Sequence, residues 1–418
     1  MTTRSTVHPA RPSGRSVEAH SWGFWVAAVA FLFNMAFSAV PTPLYAIYAA
    51  RDGLDNVAIT VVYAVYAAGV IASLFFGGHI SDWIGRKAVF VPALLVNVAS
   101  AVIFMLWPSF AGLLVARVVS GVSVGLTTAT ATAYLSELHL GARPNAPGRR
   151  AQVIATAANL GGIGLGPLIA GILAQYAPAP LELPYFVFAV SIAALAMLVA
   201  SSPETALLPD PVPRYRPQRI AVPRATRGMF FGATAAGIAA FAVFGVFNSL
   251  VPTFLVGTLH ETSHAIAGAV AFAAFAAGAG AQIALSRWET RTMLRRSIPI
   301  LALGLTLFAA GMWVPNVIVF VIGGVLTGAG AGLVFRAAMV TAGAAALPDA
   351  RAEVLAGFFL GAYVGLSVPV IGLGVATVYW PAREVMLVFI ALVLVALIAA
   401  VAALTKRAVP RTPRLSEE

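Results

Sequence analysis

The chain of 418 residues contains no cysteine and only two lysines, Lys87 and Lys406. The missing thiols exclude disulfides, CxxC redox motifs and thiolate metal sites. Neither lysine closes a Gly-x-x-x-x-Gly-Lys-Ser/Thr loop, so the phosphate-cradling ATP site of that type is excluded. No set of His, Asp and Glu has metal-ligand spacing either. We therefore predict a protein that is not an enzyme and that carries neither a cofactor nor a metal ion.

Charge is scarce as well, because only 10% of the residues are charged and 60% are apolar. Soluble domains carry about 25% charged residues. Twelve apolar runs have the length of membrane-spanning helices, which need about 17–25 residues. The runs lie near 22–48, 57–80, 88–107, 110–135, 151–176, 184–201, 229–255, 265–285, 298–314, 317–346, 354–379 and 385–404. The predicted fold class is an all-α membrane protein.

The basic residues are distributed unevenly between the two sides of such a bundle. If the N-terminus is cytoplasmic, 22 of the 26 Lys and Arg fall on the cytoplasmic side and only Arg51 and Arg383 on the other. The remaining two, Arg117 and Arg336, lie within apolar runs. This asymmetry follows the positive-inside rule and predicts that both termini are cytoplasmic. The net charge of +11 then faces anionic lipid, so a nucleic-acid partner is not expected.

The two halves of the chain repeat each other. Val40-Pro41-Thr42-Pro43-Leu44 in the first run matches Val251-Pro252-Thr253-Phe254-Leu255 in the seventh. Gly121-x-x-x-Gly125 in the fourth run matches Gly328-x-x-x-Gly332 in the tenth. The similar offsets argue against a chance match and predict two related bundles. The predicted divisions are a tail at 1–20, a bundle at 21–202, a linker at 203–228, a bundle at 229–405 and a tail at 406–418.

A polar turn between the second and third runs reads Gly78-His79-Ile80-Ser81-Asp82-Trp83-Ile84-Gly85-Arg86-Lys87. Gly78 and Gly85 permit positive φ and close backbone approach where the chain reverses. Asp82 can face a helix N-terminus, while Arg86 and Lys87 can pair with acids or lipid phosphates.

The spacing G-x-I-S-D-x-x-G-R-K closely resembles the signature between helices two and three of the major facilitator superfamily of transporters. Leu113 to Gly121 resembles the fourth-helix signature of that family, and Ser202 to Thr205 resembles the end of its sixth helix. The segment 162–171 resembles the fifth-helix pattern G-x-x-x-G-P-x-x-G-G of its exporter branches, with Ala170 replacing one glycine. The resemblance covers residues 20–405 and implies twelve helices in two pseudo-symmetric six-helix bundles. The second half lacks a clean copy of the loop motif.

The resemblance implies roles for particular residues. In the family, the acid and arginine of the loop motif join an acid at the inner end of helix four, where Glu137 stands. The residues predicted to form a conformational switch on this basis are Gly78, Asp82, Gly85, Arg86, Lys87 and Glu137. The alternative is that these charges only mark topology.

Polar residues within the runs are candidates for substrate binding, because spans one, four, seven and ten line the central cavity in this fold. The candidates are Asn34, Arg117, Thr128, Asn248 and Arg336, with Tyr63, Tyr66, Asn159, Gln282 and Tyr363 as weaker ones. The alternative for each is hydrogen bonding between helices, worth about 0.6 kcal/mol on average. The fifth helix is predicted to pack closely through Gly162, Gly166, Pro167 and Gly171. If the protein is an exporter, this packing is also expected to seal the interface between the halves against ion leak.

No Asp or Glu falls at mid-depth in any run, whereas Arg117 and Arg336 do lie within runs. The cavity is therefore expected to be electropositive and to suit neutral or anionic hydrophobic compounds better than cations. Protons are the expected coupling ion, carried by Glu137, Asp82, or a histidine such as His79 or His260.

The predicted function is thus proton-coupled efflux of small organic compounds by alternating access. An importer of sugars or organic acids remains the alternative within the class, and a membrane receptor or channel-like protein the alternative outside it. The predicted location is the inner membrane of a bacterial cell. The expected partners are a small-molecule substrate and the lipid bilayer, with the chain as a monomer.

Overall fold

The structure is a computed structural model that describes residues 14–206, 215, 222–347 and 351–407. The described part contains twelve helices that are long and apolar enough to cross a membrane. In chain order, α1 to α12 are Ser16–Ala39, Asn56–Gly77, Arg86–Leu106, Phe110–Ala142, Arg149–Tyr176, Leu183–Ala200, Arg224–Ser249, His264–Ala284, Thr290–Trp313, Val317–Ala344, Glu353–Tyr379 and Ala382–Ala402. The all-helical fold and the number of spans predicted from the sequence are confirmed.

With twelve spans, α1 begins and α12 ends on the same side of the bundle, which we call the terminal face. The other side is called the opposite face. Four of the six helices that begin at the opposite face start with an uncharged or acidic side chain that accepts a backbone N–H bond: Asp55, Ser109, Ser263 and Asn316. Such caps satisfy donors that the first turn of a helix leaves without partners.

Two of the predicted runs, 22–48 and 229–255, end differently from the expectation. The first run is broken after Ala39, and the chain continues as a short helix, Tyr45–Asp52. The seventh run is broken at Leu250, and a short helix Val251–Leu259 follows. Prolines explain both breaks, because a proline has no N–H to donate and suits the first turn of a new helix. The same break in both halves agrees with the predicted repeat.

Glycines allow the helices within each half to pack closely. A Cβ added to Gly121 on α4 would clash with the carbonyl oxygen of Tyr66 on α2. A Cβ added to Gly328 on α10 would clash with the carbonyl oxygen of Ala274 on α8. The two Gly-x-x-x-Gly segments therefore make equivalent contacts in the two halves. Small residues of this kind are what lets helices approach when lipid supplies no hydrophobic drive.

The two halves contact each other along α2 with α11 and along α5 with α8. On α5, Gly162 and Gly166 pack against carbonyl oxygens of α1, whereas Gly171 packs against His264 on α8. Gly268 of α8 in turn packs against the carbonyl oxygen of Pro167. The glycines of the segment 162–171, which we call the α5 motif, therefore pack α5 against α1 on one side and against the second half on the other.

The predicted linker, 203–228, and the predicted tails are only partly described. Residues 1–13, 207–214, 216–221, 348–350 and 408–418 lie outside the described residues. The predicted orientation depends in part on arginines in these ranges, namely Arg4, Arg11, Arg214, Arg216, Arg219, Arg411 and Arg414.

The close approach of α5 and α8 can be tested with two alanine substitutions in one helix. Gly268→Ala adds a Cβ that clashes with the backbone of α5, whereas Gly280→Ala adds one with no atom within 4 Å. We expect Gly268→Ala to cost about 1–3 kcal/mol, as overpacking does, and Gly280→Ala to be neutral or slightly stabilising. Thermal melting of both purified variants measures this. Equal melting temperatures for the two would contradict the packing described.

Candidate functional site

The loop between α2 and α3 turns sharply at one glycine. A single helical turn, Ser81–Ile84, is followed by Gly85 with φ 110° and ψ 151°. Residues other than glycine rarely adopt that backbone. A Cβ at Gly85 would also come within 2.8 Å of Glu204 Oε2. Gly78, by contrast, has φ −60°, so the expectation of positive φ there is wrong: the chain does not yet reverse at Gly78, which continues the end of α2 in a helical conformation.

Arg86 joins the loop to α4. Its Nη1 lies 2.5 Å from Asp82 Oδ1, and its Nη2 lies 2.7 Å from Glu137 Oε1. Arg86 Nε also donates to both oxygens of Glu137 at 3.1 Å, and Nη1 donates to Ser81 Oγ at 2.9 Å. Charge-assisted bonds of this kind are the strong ones. The structure thus brings the predicted trio Asp82, Arg86 and Glu137 into direct contact.

Glu204, just after α6, is a fourth member that sequence reasoning assigned no role. Its carboxylate accepts the backbone N–H groups of Arg86 at 2.9 Å and Lys87 at 3.0 Å. It also accepts those of Thr205 at 2.9 Å and Ala206 at 3.1 Å. Thr205 donates its hydroxyl to Glu137 Oε2 at 2.5 Å. We call Asp82, Arg86, Glu137 and Glu204 the loop cluster.

The contacts around Glu204 shift its titration. Burial raises the pKa of the Glu204 carboxyl, but N–H donation from Ala206, Arg86, Lys87 and Thr205 outweighs burial and holds that pKa below 4.5. Asp82, Arg86 and Glu137 belong to the first half, and Glu204 follows directly after it. The hydrogen-bond partners of the loop cluster among the described residues lie in the first half or beside Glu204. In this conformation the loop cluster therefore ties α2, α3, α4 and α6 together at the terminal face.

Arg117 on α4 is the largest buried side chain of the described core, with 1% of its surface exposed. Its Nη1 donates to the carbonyl oxygen of Ser38 on α1 at 2.6 Å. Its guanidinium lies 4.4 Å from the ring centroid of Tyr66 and 5.6 Å from that of Tyr63. Its Nε has no hydrogen-bond partner, and no carboxylate of the described residues forms an ion pair with it. Carbonyl and aromatic faces thus surround this cation in place of an acid.

Residues of the second half complete the surroundings of Arg117. The hydroxyl of Tyr66 lies near that of Tyr363 on α11, and the hydroxyl of Tyr63 lies near Asn248 on α7. The Tyr63 hydroxyl is buried and has no hydrogen-bond partner. The structure therefore brings five of the predicted residues together, which we call the central cluster: Arg117, Tyr63, Tyr66, Asn248 and Tyr363.

Asn34 lies apart from the central cluster in a network of its own. Its Nδ2 donates to Thr127 Oγ1 at 3.0 Å, and its Oδ1 accepts from Asn97 Nδ2 at 2.8 Å and Ser123 Oγ at 3.2 Å. The side chain is fully buried. The alternative reading, hydrogen bonding between helices, describes this geometry of α1, α3 and α4. Thr128, which donates to the Val124 carbonyl oxygen at 2.7 Å, is also bonded within its own helix.

The remaining candidates lie nearer the terminal face or at the seam between the halves. Arg336 Nη1 donates to the carbonyl oxygen of Gln282 at 2.6 Å, and the buried Gln282 Nε2 has no partner. Asn159 is half-buried within a π-helical turn, Ala157–Gly161, that contacts α1 and α8. Turns of this type inside α-helices often mark functional sites.

The second half contributes aromatic rings that the sequence reasoning did not single out. Phe241 on α7 lies 4.7 Å from Phe335 on α10 and 5.5 Å from Tyr363, measured between ring centroids. Phe359 on α11 lies 6.0 Å from Phe335. The sequence does show phenylalanines on these three helices. Their helical spacing alone, however, does not distinguish residues of a binding site from residues of the hydrophobic core. These rings form an aromatic cluster in the second half that includes Tyr363 of the central cluster.

Hydrogen bonds between the halves concentrate toward the opposite face. Thr42 Oγ1 donates to the Asn248 carbonyl oxygen at 3.0 Å, and Asn56 Nδ2 donates to Thr377 Oγ1 at 3.1 Å. At the terminal face, the described residues supply one such bond, from Arg149 Nη2 to Ser286 Oγ at 2.9 Å. In this conformation, more hydrogen bonds therefore join the two halves at the opposite face than at the terminal face.

Two six-helix halves that share a buried polar centre define a polytopic membrane protein of the secondary transporter kind. The chain belongs to the Major Facilitator Superfamily, whose family model matches residues 26–314. One curated relative, an uncharacterized MFS-type transporter of Methanocaldococcus jannaschii, is 25% identical over 159 residues, or 38% of this chain. That match spans 39% of the length of the relative.

Solved structures agree on the fold. A variant of the nucleoside transporter NupG superposes with a TM-score of 0.71 at 14% identity, covering 91% of this chain and 99% of that one. A bacterial homolog of the human lysosomal transporter Spinster, inward-facing and unoccupied, gives a TM-score of 0.60 at 14% identity and covers 96% of each chain. The family model thus confirms the predicted family, and these structures confirm the fold.

Glu204 provides a pH test of the loop cluster. Because its pKa is held below 4.5, its contribution to stability is present above pH 4.5 and is lost as the pH falls through the lowered pKa. We expect Glu204→Gln to lower the melting temperature at neutral pH and to flatten the loss of stability below pH 4.5. Melting curves between about pH 7 and about pH 3 measure both effects.

The matched control is Glu182→Gln, which removes one exposed acid at the opposite face. A melting profile of Glu204→Gln that superposes on those of the wild type and this control would contradict the stabilising role of Glu204 in the loop cluster.

Proposed function

We propose that the chain exports small neutral or anionic hydrophobic compounds by alternating access, in exchange for protons. The observation that carries the proposal is Arg117, a buried cation in the central cluster without an acid partner among the described residues. A buried charge is costly unless something neutralises it. An anionic or strongly polarisable substrate supplies that neutralisation when it enters between the two halves.

The orientation of the bundle belongs to the proposal. The terminal face is the cytoplasmic one, because it carries most of the Lys and Arg of the chain. The location that fits this pattern is the inner membrane of a bacterial cell. The conformation described, with the halves pinned at the opposite face, then corresponds to a state closed toward the outside.

The proposed role of the loop cluster is that of a two-state element. Its ion pairs hold the terminal ends of the first half in one arrangement, and its rearrangement accompanies the change of access. Glu137, Asp82, His79 and His260 remain the proposed carriers of the coupling proton. Export rather than import is favoured by the α5 motif, whose glycines fasten α5 to both α1 and α8.

The aromatic rings of Phe241, Phe335 and Phe359 in the second half suit the apolar part of such a compound. Aromatic pairs add about 0.5–1.5 kcal/mol to simple burial when rings stack. Nucleosides, which the name of the structural neighbour NupG mentions, combine a flat ring with neutral polar groups. They therefore belong in the panel of compounds to be tried, beside aromatic carboxylates and lipophilic cations.

Direction and substrate charge can be tested together in membrane vesicles. With an acid lumen, an exporter that exchanges protons accumulates substrate in inside-out vesicles, whereas an importer coupled to protons accumulates it in right-side-out vesicles with acid outside. We expect accumulation of aromatic carboxylates in inside-out vesicles. We expect Arg117→Gln to reduce the accumulation by at least about ten-fold, as the loss of one charged contact does.

The matched control is Arg383→Gln, which removes an exposed arginine that lies over Trp313 at the opposite face. Strong accumulation of ethidium-like cations, or anion transport that Arg117→Gln leaves at the wild-type rate, would contradict the proposed substrate class.

A further inference from the structure

A cavity with several basic lining residues lies at the terminal face, away from the central cluster. It has a volume of about 450 Å³ and is formed by the end of α4, the turn that follows and the start of α5. Four of its lining side chains are basic or titratable: His139, Arg143, Arg149 and Arg150. None of the described residues that line it is acidic. The cavity therefore concentrates positive charge on one side of the first half.

None of the three arginines is neutralised within the described part of the chain. Arg149 donates to the neutral Ser286 hydroxyl at 2.9 Å. Arg150 lies 5.6 Å from the ring centroid of Trp25, and the side chain of Arg143 has no described partner. An anion in the cavity relieves the repulsion among these positive charges.

His139 adds a buried polar atom that lacks a partner. The residue is 2% exposed, and its Nε2 forms no hydrogen bond. Its ring lies against Phe24, 5.8 Å away between centroids. A buried polar atom without a partner costs about 1–3 kcal/mol. Because His139 also lines the cavity, we infer that an acceptor oxygen of a bound anion is the partner that removes this cost.

The height of the cavity suits a phosphate group at the membrane surface. Trp22 and Trp25 of α1 are 45% and 46% exposed near the same end of the bundle. Tryptophans collect at the level of lipid headgroups. Arginine forks bind phosphate oxygens in pairs, and the first N–H groups of α5 add to the attraction.

We propose that this cavity binds the phosphate group of an anion, with Arg143 and Arg150 as its charge partners and His139 as a hydrogen-bond donor. The phosphate comes either from a phospholipid headgroup or from a soluble phosphate. Arg149, which reaches Ser286 in the second half, places the bound anion beside the seam between the halves. The site is independent of the transported substrate and of the direction of transport.

The test uses the purified full chain in a neutral detergent, with inorganic phosphate and short-chain phosphatidylglycerol as separate probes. Binding is followed by calorimetry. We expect at least one probe to bind, and the double variant Arg143→Gln/Arg150→Gln to weaken its affinity by at least about ten-fold. His139→Phe should weaken binding as well, and His139→Gln, which keeps a donor, should restore part of it.

The matched control is Arg291→Gln/Arg295→Gln, which removes the same charge from exposed positions beside the same face. Binding of phosphatidylglycerol alone supports the site and assigns it to a lipid headgroup, whereas binding of phosphate with mutual competition assigns it to soluble phosphates. The proposal is overturned if neither probe binds, or if the control weakens binding as much as the double variant does.

Discussion

The architecture depends on backbone-to-backbone contact at glycines along the seams between helices. A helix in lipid satisfies its own N–H and C=O groups and gains little by leaving lipid for another helix. Close approach is then the main source of attraction. At Gly166, Gly171 and Gly268 the neighbouring carbonyl oxygens leave no space even for a Cβ. These contacts fix α5 between α1 and α8, and thus determine how one half can move against the other.

The polar contacts follow from this packing of the helices. Because the halves touch along two seams, hydrogen bonds and ion pairs near the seams either join the two halves or lie within one of them. Thr42 with Asn248 is shared, whereas Arg86 with Glu137 is confined to the first half. Shared contacts must break when access changes, and confined ones can persist or rearrange. The buried Arg117 donates a hydrogen bond within the first half and belongs to the central cluster, which contains residues of both halves.

The sequence predicted the number of helices well, since span length and loop charge are local properties. It could not show which helices are neighbours. The hydrogen-bond partners of Asn34, a predicted site residue, are Asn97, Ser123 and Thr127 on two other helices. Glu204 had no assigned role, because its partners lie 117 and 118 positions earlier in the chain. Periodicity also passed over the breaks after Ala39 and at Leu250, since the residues on both sides are apolar.

The central claim is that the two halves rock about these seams and separate at the opposite face during transport. The absence of cysteine allows a direct measurement with introduced pairs. A disulfide in Asn56→Cys/Thr377→Cys joins side chains that touch at the opposite face, where Asn56 Nδ2 and Thr377 Oγ1 lie 3.1 Å apart. The account predicts that oxidation stops transport and that reduction restores it. Unchanged transport by the fully cross-linked protein would contradict it.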